Sequence, residues 1–155
     1  MLSRAPSEST VTLHHLMLPE HANMLGDVHG GVILKMMDET GAICAMRHSA
    51  RVCVTLAVDS MKFHSPVKVG QLVSCHGRVT WVGKTSIEVE LHVNAEDAIR
   101  RTVTHTNSGH FVYVALDDER EPTGVPGLLL ETESDRKAFA EANARKQLRL
   151  SRSGS

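Results

Sequence analysis

The chain has 155 residues, a formal net charge of −1 and 41% hydrophobic residues. That suits a single domain with its own core, and near-neutrality removes any bulk electrostatic case for nucleic acid or an anionic membrane as partner. Cys44, Cys53 and Cys75 are odd in number and set apart in apolar runs, a usage that fits buried thiols in a reducing compartment rather than a disulfide framework.

Met1-Leu-Ser-Arg-Ala-Pro has no apolar signal core, so residues 1–10 are expected as a disordered arm. No apolar run approaches the ~20 residues of a membrane span, and a cytoplasmic protein is expected. Residues 11–18 read as a strand stopped by Pro19, and a loop then carries Asn23 and Asp27 to Gly30-Gly31. From Gly31 to His48 the sequence is helical and apolar on most sides, the pattern of a buried helix. Its N-terminus offers unpaired N–H groups and partial positive charge, and the glycines let a ligand oxygen approach that backbone. Asp38 and Glu39 interrupt the apolar run. Asp38 lies seven residues beyond Gly31, roughly 10 Å along the axis. That is too far to act on a group held at its own helix terminus. If Asp38 does chemistry on such a group, the terminus belongs to another copy of the chain; otherwise the helix is a core helix with one polar edge.

Strand patterns come next along the chain. Segments 52–59, 73–82 and 86–94 alternate apolar and polar residues with period two, as half-buried antiparallel strands do. In the second, Val73, Cys75, Val79 and Trp81 share one face. Gly83-Lys84 signals a short hairpin. A long strand is expected over 101–116, with Gly109 as a bulge or a point of close approach. After a turn-rich stretch, residues 131–150 read as a helix with acids in its first turn and Arg145, Lys146 and Arg149 near its end. Residues 151–155 are expected to be a disordered tail. Residues 11–150 form one domain, with no internal repeat.

Ten histidines do not make a metal site here. His14 and His15 are adjacent and point to opposite faces of a strand, and neither His-x-x-x-His nor Cys-x-x-Cys occurs. No phosphate loop and no Gly-x-Gly-x-x-Gly supports ATP or NAD as cofactor. His29-Gly30-Gly31 has the look of a serine-esterase oxyanion loop, but no Gly-x-Ser-x-Gly accompanies it.

Glu20-His-Ala-Asn23-x-x-Gly26-Asp27-x-His29-Gly30-Gly31-x-Ile-Leu-Lys-x-x-Asp38-Glu39 resembles the signature of the hotdog-fold acyl-CoA thioesterases. The likeness continues through Met61-x-Phe63-x-x-Pro66-Val67-x-x-Gly70, Gly83-Lys84-Thr85-Ser86-Ile87-Glu88-Val89 and Phe111-Val-Tyr-Val-Ala-Leu-Asp117, so it covers roughly residues 12–150. It implies an α+β fold: an antiparallel sheet of five to six strands wrapped around one long central helix, plus a C-terminal helix. It also implies a homodimer, commonly assembled as a trimer of dimers into a hexamer, that hydrolyses fatty acyl-CoA to fatty acid and CoA. Asn23 and Asp38, from opposite subunits, match the family's catalytic pair. Asp38 would be general base or nucleophile, Asn23 would orient water or carbonyl, and the Gly31 amide would bind the oxyanion. CoA enters only as part of substrate and product; no cofactor and no metal are expected. Its phosphates call for cations and amides, for which Arg51, Lys84, Thr85 and Ser86 are candidates, with His29 and Gly30 beside the thioester. The rival reading is a hotdog module that binds acyl-CoA as a sensor without cleaving it. Neither the acyl-chain length nor nucleotide regulation is legible.

Overall fold

Residues 1–153 are described by the computed structural model. Five segments of alternating polarity form strands: β1 (Val11–Leu16), β2 (Val52–Phe63), β3 (Leu72–Val82), β4 (Ser86–Asp97) and β5 (Thr102–Leu116). Helix α1 (Gly30–Ser49) joins β1 to β2, and helix α2 (Glu133–Ser153) follows β5. All pairings are antiparallel and the sheet order is β1-β3-β4-β5-β2. This is the α+β architecture implied by the resemblance.

Helix α1 lies on one face of the sheet. Its buried residues, among them Ile33, Met37, Thr40, Cys44 and His48, recur every three to four positions and make one stripe. They meet the inward side chains of the central strands, including Val89, Leu91, Phe111 and Tyr113, all 1% exposed or less. Each such aliphatic or aromatic side chain contributes about 1.5–3 kcal/mol on burial. Gly77 is one point of close approach: a Cβ there would stand 3.2–3.4 Å from Leu91, Thr40 and Val89. The helix is not buried all round. Lys35, Glu39 and Met46 are exposed and Asp38 is half-buried, so the expectation of an apolar helix on most sides gives way to a stripe with an open flank.

Helix α2 crosses the opposite face. Trp81 Nε1 donates to Asn143 Oδ1 at 2.7 Å, and the Lys146 ammonium lies 4.5 Å from the Trp81 ring centre. The expected alternation puts Trp81 on the α1 face. A register shift between Val79 and Trp81 adds one residue and turns Trp81 outward instead. A second shift, between Thr55 and Ala57, does the same to β2. Val52 and Val54 therefore lie on the α2 side of the sheet and Val58 on the α1 side. Gly109 is a point of close approach, not a bulge: a Cβ there would sit 2.9 Å from Met61 Sδ, and its pairing with Leu91 is in register.

The N-terminal arm is packed, contrary to the disorder expected of residues 1–10. Arg4 N–H donates to Gly127 O at 3.0 Å, Leu129 N–H donates to Arg4 O at 2.8 Å, and Ala5 and Ser9 are buried. Residues 151–153 continue α2 rather than forming a disordered tail, and the rest of that tail, 154–155, lies outside the described residues. All three cysteines are free and buried. Burial pushes the Cys44 thiol up to about 12 and Cys75 up to about 11. No helix among the described residues is long and apolar enough to cross a membrane.

Among the contacts that hold the outer helix, one ion pair is buried. Glu88, 2% exposed, accepts from Arg145 Nε at 3.0 Å and Nη2 at 2.7 Å, and its Oε1 also accepts from Thr80 at 2.7 Å. Removing one partner of such a pair strands a buried charge. Arg145→Ala is expected to cost about 3 kcal/mol of stability, measured by urea unfolding at fixed protein concentration. A loss below about 1 kcal/mol would mean the pair contributes like a surface one.

Candidate active site

The loop before α1 is tied down by its own polar groups. Asn23 Oδ1 accepts from Leu25 N–H at 2.9 Å and Asp27 N–H at 3.2 Å, while Asn23 N–H donates to Asp27 O at 2.7 Å. Two backbone donors facing one side-chain atom identify it as the amide oxygen. The Nδ2 amino group is then the part of Asn23 left for a ligand. Gly26 at φ +81° closes the turn, a conformation that glycine adopts without strain. Asp27 anchors the loop through Lys68 Nζ at 2.5 Å. The loop tip is apolar: Met24 and Leu25 are fully exposed and, with Ala22, Asn23 and His29, line a concave surface of about 650 Å³.

His29 does something the sequence did not foretell. It is the N-cap of α1, and its Nδ1 accepts from Gly31 N–H at 3.2 Å. The amide expected to hold an oxyanion is thus already capped by a neutral imidazole, and His29 serves its own helix. Gly30 is exposed beside the far end of β2, where a Cβ built on it would come 3.9 Å from Phe63 Cε1.

Asp38 sits two turns along α1, facing β2 and β5. Its Oδ1 accepts from Thr55 Oγ1 at 2.6 Å and from Tyr113 Oη at 3.1 Å; Tyr113 Oη also lies 3.0 Å from the Asp38 carbonyl. Burial, and then the neighbouring Asp38 carboxylate, push the Tyr113 phenol far above its usual range, so it stays a donor. Thr55 and Tyr113 were not singled out from the sequence. The available signal was Tyr113 itself: the only tyrosine in the chain, set in the apolar run Phe111-Val-Tyr-Val-Ala, where a buried hydroxyl needs a partner.

Arg51, Lys84, Thr85 and Ser86 lie at the other end of the sheet. Arg51 precedes the start of β2, where Val52 pairs with Leu116, and Ser86 pairs with Val114. Thr85 O accepts from Ala115 N–H at 3.0 Å and Lys84 O from Val125 N–H at 3.1 Å, so the hairpin is braced against that end of β5. Arg51 shares a concavity of about 670 Å³ with Asp117, Asp118 and Arg120. Twenty residues of helix, roughly 30 Å, separate this end from Gly30. Within one chain the structure brings Asn23, His29, Gly30 and Gly31 together at one end and Arg51, Lys84, Thr85 and Ser86 together at the other, with Asp38 between. No group of three or more His, Cys, Asp or Glu able to hold a metal ion occurs among the described residues.

The chain resembles known proteins in sequence and in fold. The model of the thioesterase superfamily matches residues 25–100. The cytosolic acyl coenzyme A thioester hydrolase of Rattus norvegicus is 36% identical over 151 residues, 96% of this chain but only 40% of that protein. The chain thus spans two fifths of the length of that relative. An apo-hexameric acyl-CoA thioesterase superposes with a TM-score of 0.94 at 33% identity, covering 99% of this chain and 98% of the other. The acyl-CoA hydrolase of Staphylococcus aureus, solved with butyryl coenzyme A and coenzyme A, gives 0.88 at 29% identity, covering 97% and 92%. That enzyme has also been solved with alanine in place of an asparagine, an aspartate and a threonine, which stand 15 and 17 residues apart along its sequence.

The His29 cap is testable by stability alone. His29→Ala is expected to cost about 1 kcal/mol and His29→Asn, which caps with its side-chain oxygen, distinctly less. Equal losses for both in urea unfolding at fixed protein concentration would contradict the capping role.

Proposed function

The chain belongs to the thioesterase superfamily, and from that premise we propose that it is an enzyme that hydrolyses fatty acyl-CoA thioesters to free acid and CoA, at sites built from two copies of the chain. The observation that carries this reading is the state of Asp38. It is a half-buried carboxylate mid-helix, held by two hydroxyl donors on one oxygen and set roughly 10 Å along the axis from the N-terminal amides of its own helix. The spacing supports it. Asn23, Asp38 and Thr55 stand 15 and 17 residues apart, as do the asparagine, aspartate and threonine replaced in the S. aureus enzyme.

The second copy comes in along β2. That strand pairs only with β5 and is an unpaired edge, with Val52, Val54, Leu56, Val58 and Phe63 exposed. An apolar edge of this length invites another strand. Pairing β2 with a second β2 about a two-fold axis sets the Phe63 end of one against the Val52 end of the other. Gly30 lies over the Phe63 end and Arg51 beside the Val52 end. One copy's Asn23 loop and helix N-terminus are thereby carried toward the other's Asp38, Arg51 and β3–β4 hairpin. The hexameric neighbours support closure of three such dimers.

In the reaction, the thioester carbonyl accepts from Asn23 Nδ2 and from the amides at Gly30 and Gly31 of one copy. For the Gly31 amide to take part, the His29 ring must swing off it. Those donors face the oxygen where negative charge develops as the carbonyl carbon becomes tetrahedral. Asp38 Oδ2 of the other copy removes a proton from water as its oxygen bonds to that carbon. The C–S bond then breaks and Asp38 returns the proton to the CoA thiolate. The alternative is direct attack by Oδ2, giving an anhydride that water opens. Label found in Asp38 after a single turnover in ¹⁸O-water identifies the anhydride route, opened by water at the Asp38 carbonyl. Lys84, Thr85, Ser86 and Arg51 are assigned to the phosphates of CoA. No cofactor or metal is needed by these steps, and activity is expected to survive a chelator. The three free, buried cysteines and the cytosolic relative support a cytoplasmic location.

The test is thiol release from a panel of acyl-CoAs, short to long. The buried thiols Cys44 and Cys75 leave the readout clear. Wild type is expected to release thiol and Asp38→Asn to lose at least a thousandfold in kcat, on the order of 4 kcal/mol, with the oligomer intact. Asn23→Asp keeps an oxygen for the loop but loses the Nδ2 donor, so its kcat falls while its stability holds; a change confined to KM would deny Asn23 a part in the chemistry. Tight acyl-CoA binding without thiol release by wild type would favour the sensor.

A further inference from the structure

We propose that Tyr113 is a positioning residue, selecting which oxygen of Asp38 reacts, and that Gly41 is the slot that admits it. The inference rests on Asp38 being the reacting carboxylate.

A carboxylate has two equivalent oxygens and exchanges them by half a turn. Here they are not equivalent. Thr55 reaches Oδ1 from β2 and Tyr113 reaches the same Oδ1 from β5. Among the described residues nothing donates to Oδ2. Two donors from two strands occupy Oδ1 and leave Oδ2 as the oxygen free to react. The Tyr113 hydroxyl is itself located by its 3.0 Å contact with the Asp38 backbone carbonyl. It therefore sets the carboxylate against the helix that carries it, which Thr55 on an edge strand does not do. Its ring is fully buried, and a buried hydroxyl without an acceptor is costly. At this position tyrosine is accommodated because Asp38 accepts from it.

Gly41 supplies the room. It lies three residues after Asp38 on the same side of the helix, and its φ is not positive, so backbone freedom does not explain it. A Cβ there would meet the Tyr113 hydroxyl and stand 2.8 Å from Cζ and 2.9 Å from Cε2. Glycine in mid-helix is normally a liability relative to alanine; here alanine would evict the ring that holds the carboxylate.

The experiment is steady-state thiol release by Tyr113→Phe, with Asp38→Asn and the double variant alongside. Phenylalanine keeps the ring and deletes only the donor. The expected result is a fall in kcat of about tenfold, less than about twofold change in KM, and an unchanged oligomer. In the Asp38→Asn background the same substitution leaves the residual rate unchanged. Gly41→Ala is expected to lower kcat and to lower thermal stability, reversing the usual benefit of replacing a helical glycine. Wild-type kcat for Tyr113→Phe beside an inactive Asp38→Asn would overturn the positioning role and leave the site standing. A loss confined to KM, or collapse of the oligomer, would make the hydroxyl structural and overturn it too. Full turnover by Asp38→Asn would remove the reading beneath both.

Discussion

An α-helix is a rigid ruler, and this structure is organised by one measurement along it. The amides at the head of α1 and the carboxylate of Asp38 are separated by about 10 Å of helix, and nothing the chain does to itself brings them to one carbonyl. Tying Asn23 into its loop through its own oxygen, and Asp38 into the sheet through Thr55 and Tyr113, fixes both groups in place without joining them. The unpaired apolar β2 edge is the complement of that separation. In the proposed function, a sheet edge that would otherwise be a liability becomes the line along which two half-sites meet.

The two faces of the sheet do different work. On the outer face α2 is bolted down by Arg145 on buried Glu88, by Arg149 on Asp59 at 2.6 Å and by Asn143 on Trp81. These contacts stiffen β2, β3 and β4 from behind. On the inner face the helix leaves one flank only half-covered, and Asp38, the carboxylate to which the proposed function assigns the reaction, lies on that flank. Rigidity behind and openness in front are what a site assembled between subunits requires, because the partner's groups must meet a surface already in position.

Much of this was legible in the sequence, for identifiable reasons. Period-two patterning located β2, β3 and β4, because that period arises from side-chain geometry, while α1 was legible as a long apolar run and α2 from the acids in its first turn and the cations near its end. Asp38 stood out because it interrupts an apolar helix, and Asn23 because it falls in the stretch that resembles the thioesterase signature. The register was less legible. One extra residue near Leu56 and another near Thr80 reverse the faces of the strand residues beyond them, and no local pattern announces a bulge. Thr55 and Tyr113 look like ordinary strand residues until the fold brings β2 and β5 under α1. His29 read as a ligand group because a cap through a ring nitrogen looks, in sequence, like any histidine beside a glycine pair. The N-terminal arm read as disordered because its partners, Gly127 and Leu129, lie more than a hundred residues away.

The central claim is that each site draws Asn23 from one copy and Asp38 from another. Subunit complementation tests it most directly. Asn23→Ala and Asp38→Asn proteins, each inactive alone, are dissociated, mixed in equal amounts and reassembled, and thiol release is measured. In a mixed dimer one site combines the intact Asp38 of the first with the intact Asn23 of the second, and the other site lacks both. Random pairing then returns roughly a quarter of wild-type turnover. Mixed oligomers that form, by mass, yet remain as inactive as their parents would place both residues of each site on a single chain and contradict the account.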